Sequence, residues 1–199
     1  MRVLFALLIV ASPLAAQDTD ATRQEGLAAW DRVFAVASHP RCTNCHVGAQ
    51  GAPMWEGLGY GKDAAHGMNI IADESRSGAQ SVPCRTCHLT SEAKNKVPHA
   101  PPQIDEAWRL PPVELEWLDK TSAEICAQLR NPETNDDNTI AELMDHVRTS
   151  AFVNWGFVPG GGRSVPPGST EKLAQDLAVW GAAGTPCADP KRGVLGEVD

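Results

Sequence analysis

The chain has 199 residues, a formal charge of −8 and 42% hydrophobic side chains. That acidity disfavours nucleic acid or an anionic membrane as partner and suits a basic surface on another protein better. Its 15 prolines and 17 glycines imply a loop-rich chain.

Residues 1–16 read as an export leader. Arg2 forms a short positive start, and Val3 to Val10 is apolar but too short to span a bilayer. The small residues of Ser12-Pro13-Leu14-Ala15-Ala16 precede a polar start at Gln17-Asp18, so cleavage is expected near Ala16. The competing reading is an uncleaved amphipathic anchor. No later segment is apolar enough to cross a membrane. Residues 17–199 are therefore expected as one exported, periplasmic domain, one unit more negative once Arg2 is lost.

Leu27, Trp30, Val33, Phe34 and Ala37 recur at helical spacing and predict a helix over Thr22 to Ala37. It stops before His39-Pro40, where proline disfavours a helical predecessor, and leads into Cys42-Thr43-Asn44-Cys45-His46. Gly48 to Gly61 reads as glycine-rich loop, and Gly67 to Val82 shows no convincing period. Cys84-Arg85-Thr86-Cys87-His88 then repeats the earlier pattern, followed by the proline-stiffened segment from Val97 to Pro102.

The C-terminal part is more regular. A short helix is expected from Val113 to Lys120, opened by Pro112, and another from Thr121 to Arg130, stopped by Asn131-Pro132. Thr139 and Glu142 form a capping box for a helix to about Thr149, with Ile140, Leu143, Met144 and Val147 as its apolar stripe. Trp155 to Gly168 reads as loop. Ser169 or Thr170 caps a last helix carrying Leu173, Leu177 and Trp180, which Gly181 is expected to end. No segment shows sustained strand alternation.

The two pentamers are C-x-x-C-H motifs, the attachment sequence of c-type haem. Two thiols three residues apart can each add across a vinyl group of one porphyrin, and the adjacent histidine becomes the proximal iron ligand. Cys42, Cys45, Cys84 and Cys87 are thus assigned to attachment, and His46 and His88 to iron, giving two haem c groups. The motifs lie 42 residues apart, too close for two small single-haem domains in tandem. The fold expected is mainly α and loop-rich, its helices and Gly/Pro loops wrapped around two haems in one core. Cys126 and Cys187 remain and read as a disulfide in an oxidising compartment. The chain-entropy model gives it roughly 4 kcal/mol of stabilisation. Zinc also suits Cys and His at these spacings, but the export leader and the histidine adjoining the second cysteine in both copies favour haem.

Each iron needs a sixth ligand or an open position. His66, in a glycine-flanked loop, and His146, at the edge of an apolar helical stripe, are the leading distal candidates. His99 and His39 are the alternatives; Met68 is the best methionine but has His66 beside it. Arg85, Arg109 and Arg163 are candidate partners for haem propionates.

Beyond the two motifs, the chain carries Val97-Pro98-His99-Ala100-Pro101, Trp108-Arg109-Leu110-Pro111-Pro112, Asp145-His146, Trp155-Gly156-Phe157-Val158-Pro159-Gly160 and the ending Trp180 to Cys187. With these it resembles a group of exported bacterial dihaem cytochrome c proteins, some labelled isoquinoline 1-oxidoreductase subunit. The family pattern has glycine where this chain has His99 and keeps the acidic-His pair, which favours His146 over His99. The resemblance implies an electron-transfer protein, not itself an enzyme, that passes single electrons between a donor dehydrogenase or oxidoreductase and a respiratory acceptor. The alternative is a haem enzyme or small-ligand sensor with one iron position open.

Overall fold

Apolar faces of four helices meet in the main core of the computed structural model, which describes residues 14–59, 61, 64–79, 82–93, 97 and 99–188. They are α1 (Leu14–Ala37), α3 (Ser122–Arg130), α4 (Ile140–Thr149) and α6 (Thr170–Ala182). Two short helices, α2 (Pro40–Thr43) and α5 (Ala151–Phe157), join this bundle to the loops. The chain is mainly helical; among the described residues one sheet pairs β1 (Gly78–Ala79) with β2 (Val82–Pro83) antiparallel. The apolar run Val3 to Val10, read above as part of an export leader, lies outside the described residues. Among those described, no helix is long and apolar enough to cross a membrane.

Trp30 and Trp180 are fully buried at the centre, their rings 5.0 Å apart. A buried indole needs an acceptor for its N–H. Trp30 Nε1 donates to Ser122 Oγ at 2.8 Å and Trp180 Nε1 to the Pro186 carbonyl at 3.0 Å. Ala29, Val33, Ile125, Leu129, Val147 and Leu177 complete the contact surface. The Cys126–Cys187 disulfide forms, with an S–S distance of 2.05 Å, and ties α3 to the segment after α6.

Capping boxes open α3 and α4, with Thr121 and Thr139 each accepting from the N3 amide while Glu124 and Glu142 accept from the cap amide. Ser169 caps α6. Four boundaries differ from expectation. α1 starts at Leu14 rather than Thr22, because Ala15, Ala16 and Gln17 are good helix formers. Gly181 lies inside α6, where a Cβ would come within 2.8 Å of Ile140; its role is close approach of α4, and the helix runs on to Ala182. Trp155, Gly156 and Phe157 belong to α5, opened by Ser150, rather than to a loop.

The fourth difference is larger. Val113 to Lys120 is a run of turns, not a helix. The amides of Trp117 and Leu118 both donate to the His46 carbonyl, at 2.9 and 3.0 Å, and the Leu115 carbonyl faces the His46 ring. Tertiary bonds thus engage groups a helix would need, and Asp119 adopts a left-handed φ of 58°.

One charged cluster links helices α1 and α6. Asp176, 3% exposed, accepts from Arg32 Nε and Nη2 at 3.0 and 2.8 Å and from Lys172 Nζ at 3.1 Å. Burial pushes its carboxyl up, but the hydrogen bonds from Arg32 and Lys172 outweigh it and hold it below the usual range. A depressed carboxyl contributes stability above its unfolded pKa and loses it as pH falls through the folded value. Since both cations are half exposed, Asp176→Asn is expected to cost about 1–2 kcal/mol at neutral pH. The difference from wild type should shrink once pH drops below about 4, measured by urea unfolding at a series of pH values.

Candidate haem-attachment site

The two C-x-x-C-H motifs fold into the same turn. In the first, the amides of Cys45 and His46 both donate to the Cys42 carbonyl at 3.1 Å. In the second, those of Cys87 and His88 donate to the Cys84 carbonyl at 3.2 and 3.0 Å. Each turn places two thiols and one imidazole within a single loop of backbone. The first continues α2, which Pro40 starts and His39 caps by accepting the Arg41 amide on Nδ1 at 3.1 Å. The second opens on the short 3₁₀ turn Cys84–Thr86 that follows β2.

Both motif histidines are held alike. His46 Nδ1 lies 2.8 Å from the Leu115 carbonyl, and its ring stacks on Trp117 with centroids 3.6 Å apart and planes parallel. His88 Nδ1 lies 3.1 Å from the Pro102 carbonyl, and its ring stacks on Trp108 at 4.3 Å and 14°. A carbonyl only accepts, so Nδ1 carries the proton and Nε2 keeps its lone pair for a ligand. Burial pushes each imidazole down to about 4, against the opposing effect of its carbonyl bond, so both are neutral at pH 7. Burial also pushes the thiols of Cys42 and Cys45 up to about 12 and about 11, and that of Cys84 upward. These are protonated thiols rather than activated thiolates. Among the described residues, all four motif cysteines are free of disulfides.

A predominantly apolar cavity of about 350 Å³ lies between the motifs, lined by Cys45 of the first and by Cys84, Cys87 and His88 of the second. His66 and His99 line the same cavity. His66 is set there by pairing of the chain around Met54 with that around Ala65: the Trp55 amide donates to the Ala64 carbonyl and the His66 amide to the Pro53 carbonyl. Its Nδ1 lies 2.8 Å from the Gly67 carbonyl, and its ring centroid is 6.0 Å from that of His88. His146 lies on α4, and burial leads the lowering of its pKa. The structure thus gathers His66, His88 and His99 around one cavity, which His146 does not line. It uses His39 as a helix cap.

The arginines divide by burial. Arg85 is exposed, and Arg109 is exposed and ion-paired with Glu106 at 3.6 Å. Arg163 is buried and lines the cavity. Arg41, buried beside it, was not singled out by sequence, nor were Trp108, Trp117 and Trp155 given a role. Their spacing follows no helical or strand period, and each meets its partner only through the tertiary fold.

Among the described residues, no group of three or more His, Cys, Asp or Glu side chains converges as a metal-ion cage. Searches against protein-family models, curated proteins and solved structures find no match for the chain.

Gly57 keeps the first motif's surroundings in place, its carbonyl accepting from the Ser164 amide at 3.0 Å while its φ is +73°. A Cβ there would lie 2.2 Å from Ser164 Oγ and 2.9 Å from Arg41 Nη2. Gly57→Ala is expected to destabilise the protein by about 1–3 kcal/mol, seen as a lower denaturation midpoint.

Proposed function

We propose that the chain is a c-type cytochrome carrying two covalently held haems. More narrowly, we read it as an exported, periplasmic electron carrier, a relative of the dihaem cytochromes it resembles. It passes single electrons between a dehydrogenase or other oxidoreductase and a respiratory acceptor. One observation carries this reading. Two separate C-x-x-C-H turns present the same arrangement, with a carbonyl-bound Nδ1, a neutral ring stacked on tryptophan and an Nε2 lone pair left for iron.

The residues fit the group. Cys42 and Cys45, and Cys84 and Cys87, would each add across the vinyl groups of one porphyrin, and His46 and His88 would bind iron proximally. An apolar cavity beside the second motif suits a porphyrin face. When bound, haem supplies reversible one-electron iron chemistry.

The chain's own contribution is to fix ligands and exclude water. The carbonyl bonds from Leu115 and Pro102 lock the tautomer and raise imidazole basicity. His66 is assigned as the distal ligand facing His88. The two rings line one cavity with centroids 6.0 Å apart, and would hold the iron of one haem between them. His146, at the edge of the apolar stripe of α4, is the candidate left for His46. Two histidines per iron leave no open position, which favours electron transfer over small-molecule chemistry. The disulfide accords with an oxidising compartment.

Purified protein is expected to hold two covalent haems by pyridine haemochrome assay, to give two low-spin signals by EPR, and not to bind carbon monoxide. His66→Leu and His146→Leu should each convert one haem to a high-spin form that binds carbon monoxide. A high-spin iron in the wild-type protein would favour the haem enzyme or sensor instead, and absence of haem would defeat both.

A further inference from the structure

Arg41 and Arg163 are 8% and 6% exposed, and among the described residues neither has a carboxylate within 4.0 Å. Buried charges are ordinarily paired, because an unpaired one forfeits its hydration without return. Here two like charges lie close enough to oppose each other. Both guanidinium groups sit over the Trp155 ring, each 5.8 Å from its centroid. Among the described residues their acceptors are backbone carbonyls: Glu56 for Arg41, and Ala100 and Gly160 for Arg163. Arg41 Nε is buried and has no hydrogen-bond partner among those residues. Both side chains line the cavity that Cys84, Cys87 and His88 also line.

Arg76 is equally buried, but its position has another explanation. It donates to the Gly48 and Pro111 carbonyls and so ties two loops together, with the charge of Glu114 in reach. Arg41 and Arg163 have no such compensating acid. Their carbonyl bonds fix the guanidinium planes while leaving donors directed elsewhere, and the flat indole beneath them suits cation–π stacking.

We propose that Arg41 and Arg163, laid on Trp155, form a carboxylate clamp for the two ionised propionates of the haem held by Cys84, Cys87 and His88. This rests on the cytochrome reading above. A propionate pair supplies two negative charges to two buried cations, and guanidinium is the side chain whose fork matches a carboxylate. The clamp also orients the porphyrin within its cavity, with the propionate edge toward Trp155 and the thioether edge toward Cys84 and Cys87.

The test uses the full haem-loaded chain with Arg41→Gln, Arg163→Gln, the matching Lys replacements, and Arg23→Gln, at an exposed position of α1, as a remote control. Wild-type haem content is measured first; a chain without haem refutes the cytochrome reading itself. Midpoint potentials and the propionate bending band in resonance Raman spectra are then compared. Each Gln variant should shift the ferric–ferrous equilibrium of one haem about tenfold toward ferric, 59 mV for one electron, and shift its propionate band. The Lys variants should retain most of the potential, and Arg23→Gln should change neither readout. Either Gln variant suffices if the other does not fold. Should both fail, the Lys variants, which lose the planar fork, must still shift the band. Unchanged bands, or a potential that moves without the band, would overturn the clamp. So would a potential that responds to added succinate, which would reassign the pair to a free dicarboxylate.

Discussion

Two backbone carbonyls, those of Leu115 and Pro102, are the constraint on which the rest of the loop half depends. Each meets the Nδ1 of a motif histidine from far along the chain. To bring Leu115 to His46, the segment after Pro112 forgoes helix and returns its next amides to the same histidine's backbone. Pro102 reaches His88 just after a turn in which the Ala100 amide donates to the Val97 carbonyl at 3.3 Å and His99 adopts a left-handed φ of 64°; Pro101 and Pro102 themselves carry no amide donor. The aromatic floor follows from the same paths, because Trp117 lies two residues past Leu115 and Trp108 six past Pro102. Orienting one imidazole therefore organises a carbonyl, a ring and a turn together.

The helical half supplies the rigidity that these loops lack. α2, which carries Cys42, follows directly on α1, so the first motif inherits the placement of a helix buried against α6. The second motif is reached less directly. His88 stacks on Trp108, and Trp108 packs on Phe152 and Trp155 of α5, which follows α4 after a single residue. A small core of Ile104, Trp108 and Trp155 joins this loop to the bundle. Arg76 staples the remaining irregular segments by donating to the carbonyls of Gly48 and Pro111.

Helices α3, α4 and α6 were legible because their signals are local. Thr121 and Thr139 announce themselves through the glutamate three residues on, and each apolar stripe follows from a 3.6-residue period. The disulfide was legible by elimination once four cysteines were assigned to motifs. Val113 to Lys120 misled for the converse reason: its local pattern suits a helix, but the backbone groups are engaged by a histidine about seventy residues away. Gly181 carried an ambiguous signal, since glycine marks both helix ends and close approaches, and only the packing of Ile140 decides between them. At the site, His66 and His146 could be named as candidates from their flanks. Which motif each would face could not be read, because that depends on how the loops around Met54 and Ala65 pair.

The burial of charge separates the two halves most clearly. In the bundle, the buried Asp176 has Arg32 and Lys172 beside it, and the cluster is complete within the polypeptide. Around the cavity, Arg41 and Arg163 are also buried, but among the described residues they meet carbonyls and the Trp155 ring rather than a carboxylate. The same contrast holds for hydrophobic surface. Trp30 and Trp180 are enclosed by protein, whereas the apolar residues around His66 and His88 enclose a space. A polypeptide that completes its own packing in one half and leaves cations and apolar walls facing a cavity in the other has distributed its folding between two sources. The helices draw on the sequence alone. On the cytochrome reading proposed above, the loops would draw on haem, whose flat apolar ring suits those walls and whose two propionates suit those cations.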